Sequence, residues 1–239
     1  MRIIVITVCA LTVLSVRAQD ETGLNASVEV TKKINKKVSV GVEAEYRNRN
    51  DMRTNDRWTV ELSGSYKLTP WLKLSAGYKF METNTEEKTT YHSDGSANKW
   101  RPSFWQPKHR VSVSLTGSHD IGPLSLSLRE RWQYTYRPEH DTERWDYDDE
   151  AWQQTTIESK ASNVLRSRLM AEYNIPKCKV TPFASVELFN GWNLQKVRYQ
   201  VGARWSISKR HSLSAYYRYQ DNKGDNNIHI IGIGYTLKL

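Results

Sequence analysis

Past its first eighteen residues the chain has no apolar run near the roughly twenty residues that a membrane-spanning helix requires. A helical membrane protein is thereby excluded. Cysteine is almost missing: Cys9 lies in the N-terminal segment and Cys178 then stands alone, so no intramolecular disulfide can form. There is no glycine-rich phosphate loop, and none of the six histidines pairs at a metal-ligand spacing. The formal charge is +9, yet the basic residues alternate along polar faces rather than forming a tract, which does not describe a nucleic-acid binder. Mean hydropathy is −0.70 with 38% hydrophobic residues. That is too polar for a helical membrane protein and compatible with a barrel, whose strands need apolar side chains only at alternate positions.

Residues 1–18 read as an export signal: Arg2, an apolar core over residues 3–16, then Val16 and Ala18 as small residues three and one before a cut ahead of Gln19. Removing Arg2 and Arg17 leaves 33 basic against 26 acidic residues, a net +7. Residues 19–239 then form a single domain.

What the chain does have is alternation. In its last thirteen residues Ile231, Ile233, Tyr235, Leu237 and Leu239 take one parity, and Gly232, Gly234, Thr236 and Lys238 the other. Side chains two apart share a face only in an extended strand. The stretch resembles the closing strand of a bacterial outer-membrane β-barrel, which implies that these five apolar side chains are the signal read by the barrel-assembly machinery. Period two recurs over residues 24–30, 38–46, 58–68, 72–80, 111–115, 124–136, 165–173, 180–188, 197–205 and 213–219. Turn residues at Pro70, Gly122, Pro176 and Lys209 alternate with long polar loops at 81–108 and 138–159. Aromatics cluster at the strand ends, with Trp71, Tyr173 and Trp205 near turns and Trp58, Tyr78 and Tyr219 near loops, as two interfacial girdles require.

The fold expected is all-β: a transmembrane antiparallel up-and-down barrel of about 10 strands, alternatively 12, with short periplasmic turns and long extracellular loops. The segments count to about eleven, whereas single-chain bacterial barrels have even numbers. Discounting residues 24–34 as a full spanning strand gives ten, so the neighbour of Leu239 across an antiparallel seam starts at either Leu24 or Lys37. Glu130 falls on the apolar parity, where a bulge would rescue it.

Alternation alone does not separate a membrane barrel from a lipocalin-like one. The polar face decides. It carries Glu43, Glu45, Arg47, Glu61, Arg110, Arg129, Arg131, Arg166, Arg168, Glu172, Glu187, Arg198, Arg204 and Arg218. Arginine at mid-strand suits confined pairing with carboxylates, so this set is expected to form a charge network inside a lumen.

The second half of the chain resembles an uncharacterised family of small outer-membrane barrels, domain of unknown function 2490, of the Bacteroides group. The likeness rests on Pro182, Ala184, Glu187, Phe189, Arg198, Gly202, Tyr217-Arg218, His229 to Gly232 and Tyr235, with the lysine-rich run at 32–37 earlier. It implies a Gram-negative outer membrane with a periplasmic C-terminus, contact with outer-membrane lipid and lipopolysaccharide, and no particular activity.

Enzymatic chemistry has little to stand on. Barrel phospholipases carry His and Ser two apart on one strand face, while His92 and Ser93 are adjacent. His140-Asp141 and Asp146-x-Asp148 lack the spacing of barrel proteases. The acidic stretch 141–150 offers hard oxygen ligands for a divalent cation, against a solvated loop as the plainer reading; no metal or other cofactor is assigned. Two classes remain. One is a narrow channel or binding barrel whose arginine-biased lumen favours small anionic solutes. The other is a non-conducting structural or interaction barrel, its lumen sealed by Arg–Glu pairs. Arginine outnumbers glutamate on the inward parity, which favours the first.

Overall fold

In the computed structural model, which describes residues 20–224 and 226–239, every regular element is a strand. The expected export signal lies outside the described residues. The chain runs through β1 (Glu21–Lys33), β2 (Val38–Arg49), β3 (Thr54–Lys67), β4 (Leu72–Thr85), β5 (Lys88–Tyr91) and β6 (Ala97–Arg101). It continues through β7 (Phe104–Ile121), β8 (Leu124–Arg137), β9 (His140–Asp146), β10 (Ala151–Ile157) and β11 (Lys160–Tyr173). β12 (Val180–Asn190), β13 (Leu194–Ser206), β14 (His211–Asn222) and β15 (Ile228–Lys238) complete it. β5, β6, β9 and β10 form a separate sheet, and the other eleven strands close into a barrel in sequence order.

The barrel is inside-out relative to a soluble protein. Leu62, Leu128, Leu169 and Ile233 are more than half exposed on its outer face, while Asn25, Ser112, Gln133 and Glu187 are buried within. A lipocalin-like barrel has the reverse arrangement; this one is built to sit in hydrocarbon. Three tyrosine hydroxyls in the outer girdles bond histidine rings: Tyr78 to His109 at 2.7 Å, Tyr217 to His229 at 2.5 Å and Tyr235 to His211 at 2.6 Å. An aromatic body in the apolar layer with a satisfied polar tip is what an interface selects.

Eleven lies between the expected ten and twelve. Residues 24–34 are not a partial segment: β1 is 13 residues long and pairs along both edges. An odd number of strands alternating in direction leaves the first and last pointing the same way, so the seam is parallel, from Glu21 opposite Ile228 to Thr31 opposite Lys238. The antiparallel seam expected at Leu24 or Lys37 is corrected accordingly. Side chains inside the lumen strengthen this weaker ladder. Gly232 stands opposite both Tyr216 and Asn25. Tyr216 lies over that glycine, and its hydroxyl accepts from Asn25 Nδ2 at 2.7 Å. A Cβ on Gly232 would overlap the tyrosine ring. Below it Thr236 donates to Glu29 at 3.4 Å.

The connections at one end, 34–37, 68–71, 122–123, 174–179 and 207–210, are all tight, and this is the turn end. At the opposite, loop end the two stretches expected as long polar loops are largely sheet. β4 runs on to Thr85, β7 starts at Phe104, and the hairpins β5–β6 and β9–β10 join through Lys99 opposite Asp146 and Trp100 opposite Trp145. Trp152 completes this tryptophan row, with ring centroids 5.9 and 5.6 Å from Trp100 and Trp145. These strands lack an apolar parity because both faces carry Thr, Gln and charged residues, and a period-two reading passes over them.

Glu130 does point outward, and no bulge rescues it: the β7–β8 and β8–β11 registers pass through it unbroken. Its carboxylate accepts a hydrogen bond from Ser167 Oγ at 2.7 Å instead. A carboxylate at mid-strand on the apolar face costs free energy, so Glu130→Leu is expected to stabilise the barrel by about 1 kcal/mol in lipid. A higher urea midpoint for the refolded variant checks this.

Candidate functional site

Period two sends most inward charged residues to one compartment, a cavity of about 1510 Å³. It runs from Lys33, Lys209 and Lys238 at the turn end to Glu86 and Asn226 at the loop end. Among the described residues twenty Lys and Arg line it against eight Asp and Glu, so its field is strongly positive.

Register brings the central arginines together. Arg129 of β8 faces Arg168 of β11, which faces Glu187 of β12, which faces Arg198 of β13; one pair along, Arg131 faces Arg166. Glu187 is buried and accepts from Arg129 at 2.6 Å, Arg166 at 2.7 Å and Arg198 at 3.3 Å. Phe189, two residues on and also inward, lies under the Arg166, Arg198 and Lys196 cations at 4.4, 4.7 and 4.9 Å. One carboxylate and one ring thus gather four cations, and charge-assisted contacts of this geometry fix guanidinium planes.

A second cluster lies towards the loop end. Asp56 meets Arg57 at 3.0 Å, Arg47 at 3.3 Å and Arg49 at 4.0 Å, and Arg49 also reaches Glu86 at 2.7 Å. The β2–β3 register steps from Arg47 opposite Arg57 to Asn48 opposite Asn55, leaving Asp56 as the extra residue of a bulge. The bulge turns its carboxylate inward. On the β1–β3 wall Glu29, Glu43 and Glu61 stand in one row, and Lys79 of β4 bonds Glu61 at 2.9 Å.

Residues 23–229 match the family described as "Protein of unknown function (DUF2490)". The chain belongs to this family. No curated protein matches it. Among solved structures it is similar to the β domain of the Bordetella autotransporter BrkA, with a TM-score of 0.55 and 12% identity over 80% of this chain and 78% of that one. It is also similar to the NanC porin, TM-score 0.48 and 14% identity over 92% and 98% of the two chains. A third is the Ralstonia pickettii toluene transporter TbuX, TM-score 0.44 and 12% identity over 80% and 60%. At such identities the BrkA likeness speaks for the barrel fold alone.

Of the fourteen charged residues singled out by parity in this DUF2490 chain, twelve line the cavity: Glu43, Glu45, Arg47, Glu61, Arg110, Arg129, Arg131, Arg166, Arg168, Glu187, Arg198 and Arg218. Glu172 and Arg204 do not, and pair with each other at 2.8 Å. Glu187, Phe189, Arg198 and Arg218, which carry the family resemblance, all face the lumen. Sequence reading missed Asp56, because a bulge breaks period two, and passed over Phe189, Lys196 and Lys79, although the same parity places them inward. Of the closing-strand residues Ile231 and Ile233 are exposed on the outer face, Tyr235 bonds His211, Leu237 stands opposite Val30 of β1, and Leu239 is exposed at the turn end.

The loop-end residues weighed for catalysis or metal binding are otherwise engaged. His92 meets Asp148 at 3.1 Å and the His140 ring stacks on Phe104 at 4.8 Å. Among the described residues no histidine ring is bonded to a serine or threonine hydroxyl. The acids of 141–150 are divided by strand alternation: Asp141 accepts from Thr156 and Glu143 from Gln154 on one face of β9, while Asp146 meets Lys99 at 3.1 Å on the other. Among the described residues no three His, Cys, Asp or Glu are grouped to hold a metal ion.

Burial raises the Asp146 carboxyl, but the Lys99 ammonium and the Asp148 and Asp149 N–H groups outweigh it and hold it below the usual carboxylate range. A folded-state value below the unfolded one stabilises the sheet at pH above about 3.9 and withdraws that support as pH falls through the lower folded value. The tryptophan-row signal in near-ultraviolet circular dichroism is therefore expected to weaken on acidification, and Asp146→Asn to weaken it already at pH 7.

Proposed function

We propose that this protein is an outer-membrane barrel that binds or conducts small anionic solutes through its lumen. The observation that carries the reading is the excess of twenty cationic over eight anionic residues around a cavity reaching both ends of the barrel. Rings of arginine and lysine in low-dielectric surroundings select anions, and field lines focused by apolar walls raise the local anion concentration. In this reading the turn end and Leu239 lie in the periplasm of a Gram-negative cell, of the Bacteroides group that the family resemblance implies. The outer face then meets lipid and lipopolysaccharide, and the closing strand engages the barrel-assembly machinery.

Liposomes with and without refolded protein test the function: chloride and small carboxylates are expected to leave faster than potassium and small ammonium ions. Absence of any protein-dependent flux would favour the sealed, interaction-type barrel, for which the Glu187 clasp is the supporting feature. Orientation has its own handle. Cys178 is an exposed free thiol at the turn end, so a polyethylene-glycol maleimide is expected to label it only after the outer membrane is permeabilised. Labelling of intact cells would reverse the orientation.

A further inference from the structure

Most lumen charges are engaged in the clusters around Glu187, Asp56 and Glu61, and four inward side chains are left over. Glu43 and Glu45 of β2 project into the cavity and make no hydrogen bond or ion pair among the described residues. On the facing wall, four strands away around the ring of eleven, Arg131 of β8 and its neighbour Arg168 of β11 are likewise without a hydrogen bond or ion pair among the described residues. The Nε atoms of both arginines are shielded from solvent and unbonded. Arg131 lies within electrostatic reach of Glu43 and Glu61, yet no ion pair closes between them. Arg168 stands opposite Glu187 in the β11–β12 register, and Glu43 and Glu45 lie beside Lys79, so the lumen between Arg131 and Glu43 has donors on one side and acceptors on the other that no hydrogen bond uses.

We propose that this gap is a binding site for a solute carrying an anionic group and an ammonium group on one short skeleton, as an ω-amino acid does. The inference rests on the reading of the lumen as a solute site and names the solute class. A carboxylate or sulfonate would take the Arg131 and Arg168 forks, and the ammonium would lie against Glu43 and Glu45. A simple anion gains the first contact without the second, and a simple cation gains the second in a lumen whose net charge repels it. Specificity over simple anions then comes from the second contact, and over simple cations from the net positive charge of the lumen.

Equilibrium dialysis of radiolabelled 4-aminobutyrate against the full-length protein refolded in detergent tests this, with butyrate as the matched anion. The expected result is saturable binding of 4-aminobutyrate, tighter than butyrate by about tenfold, and lost in both Glu43→Gln/Glu45→Gln and Arg131→Gln/Arg168→Gln. Butyrate binding is expected to fall only in the arginine variant. None of the four side chains makes a hydrogen bond or ion pair among the described residues, so both variants are expected to refold, which heat-modifiable gel mobility checks. No saturable binding, or equal affinity for the two solutes unaffected by the glutamate variant, would overturn the proposal. Chloride current through the same preparation separates the two readings. Current without 4-aminobutyrate binding sinks this site and spares the anion path; binding without current does the opposite.

Discussion

Replacing Glu187 by glutamine is expected to lower the unfolding free energy of the refolded barrel by about 3–5 kcal/mol. The carboxylate is buried and shared by Arg129, Arg166 and Arg198, and removing its charge leaves three guanidinium groups in one region with no counter-ion. The penalty is the repulsion and desolvation of the cations left behind, more than the loss of any single hydrogen bond. Removing a cation as well should therefore restore part of the loss, and Glu187→Gln/Arg129→Gln is expected to be more stable than the single variant. Asp221→Asn, which breaks an exposed pair with Lys223 at 3.0 Å, supplies the contrast and should cost about 0–1 kcal/mol. Urea unfolding in lipid vesicles reads all three.

Gly232→Val strikes the seam. A side chain there must displace the Tyr216 ring, which overlaps the space a Cβ would fill, and with it the hydrogen bond from Asn25 that ties β14 across β15 to β1. Overpacking costs about 1–3 kcal/mol, and the lost hydrogen bond adds about 1 kcal/mol. Because the parallel ladder is the weaker kind, the damage should concentrate there, with faster hydrogen exchange in β1 and β15 than in β7 and β8. Gly64→Ala, on the outward parity between Leu62 and Tyr66 with nothing within 4 Å of the added Cβ, should leave stability nearly unchanged. Equal effects at the two glycines would mean that the Tyr216 bridge does not hold the seam.

Most of the barrel can be read from alternation, because a strand between lipid and lumen carries its two environments in its two parities. Leu165, Leu169 and Ala171 announce the outer face of β11 as plainly as Arg166 and Arg168 announce the inner one. The legibility ends where one of those conditions fails. Asp56 is hidden by a bulge, which shifts parity by one. β5, β6, β9 and β10 stand beyond the lipid, where neither face needs to be apolar, and only the tryptophan row marks them. The parallel seam is invisible because parity says which face a residue takes and nothing of the direction of its neighbour. Asn25, Tyr216 and Gly232 are the residues that hold it, and none is unusual for a strand on its own. The inward charges are legible one by one, whereas their grouping around Glu187 and around Asp56 is a product of register and closure.

The proposed anion path through the lumen is tested by the reversal potential of the refolded protein in a planar bilayer under a potassium chloride gradient. The potential is expected to have the sign set by chloride and to move towards zero when Arg131 and Arg168 are both replaced by glutamine. A potential of the sign set by potassium, or no current at any voltage, would contradict it.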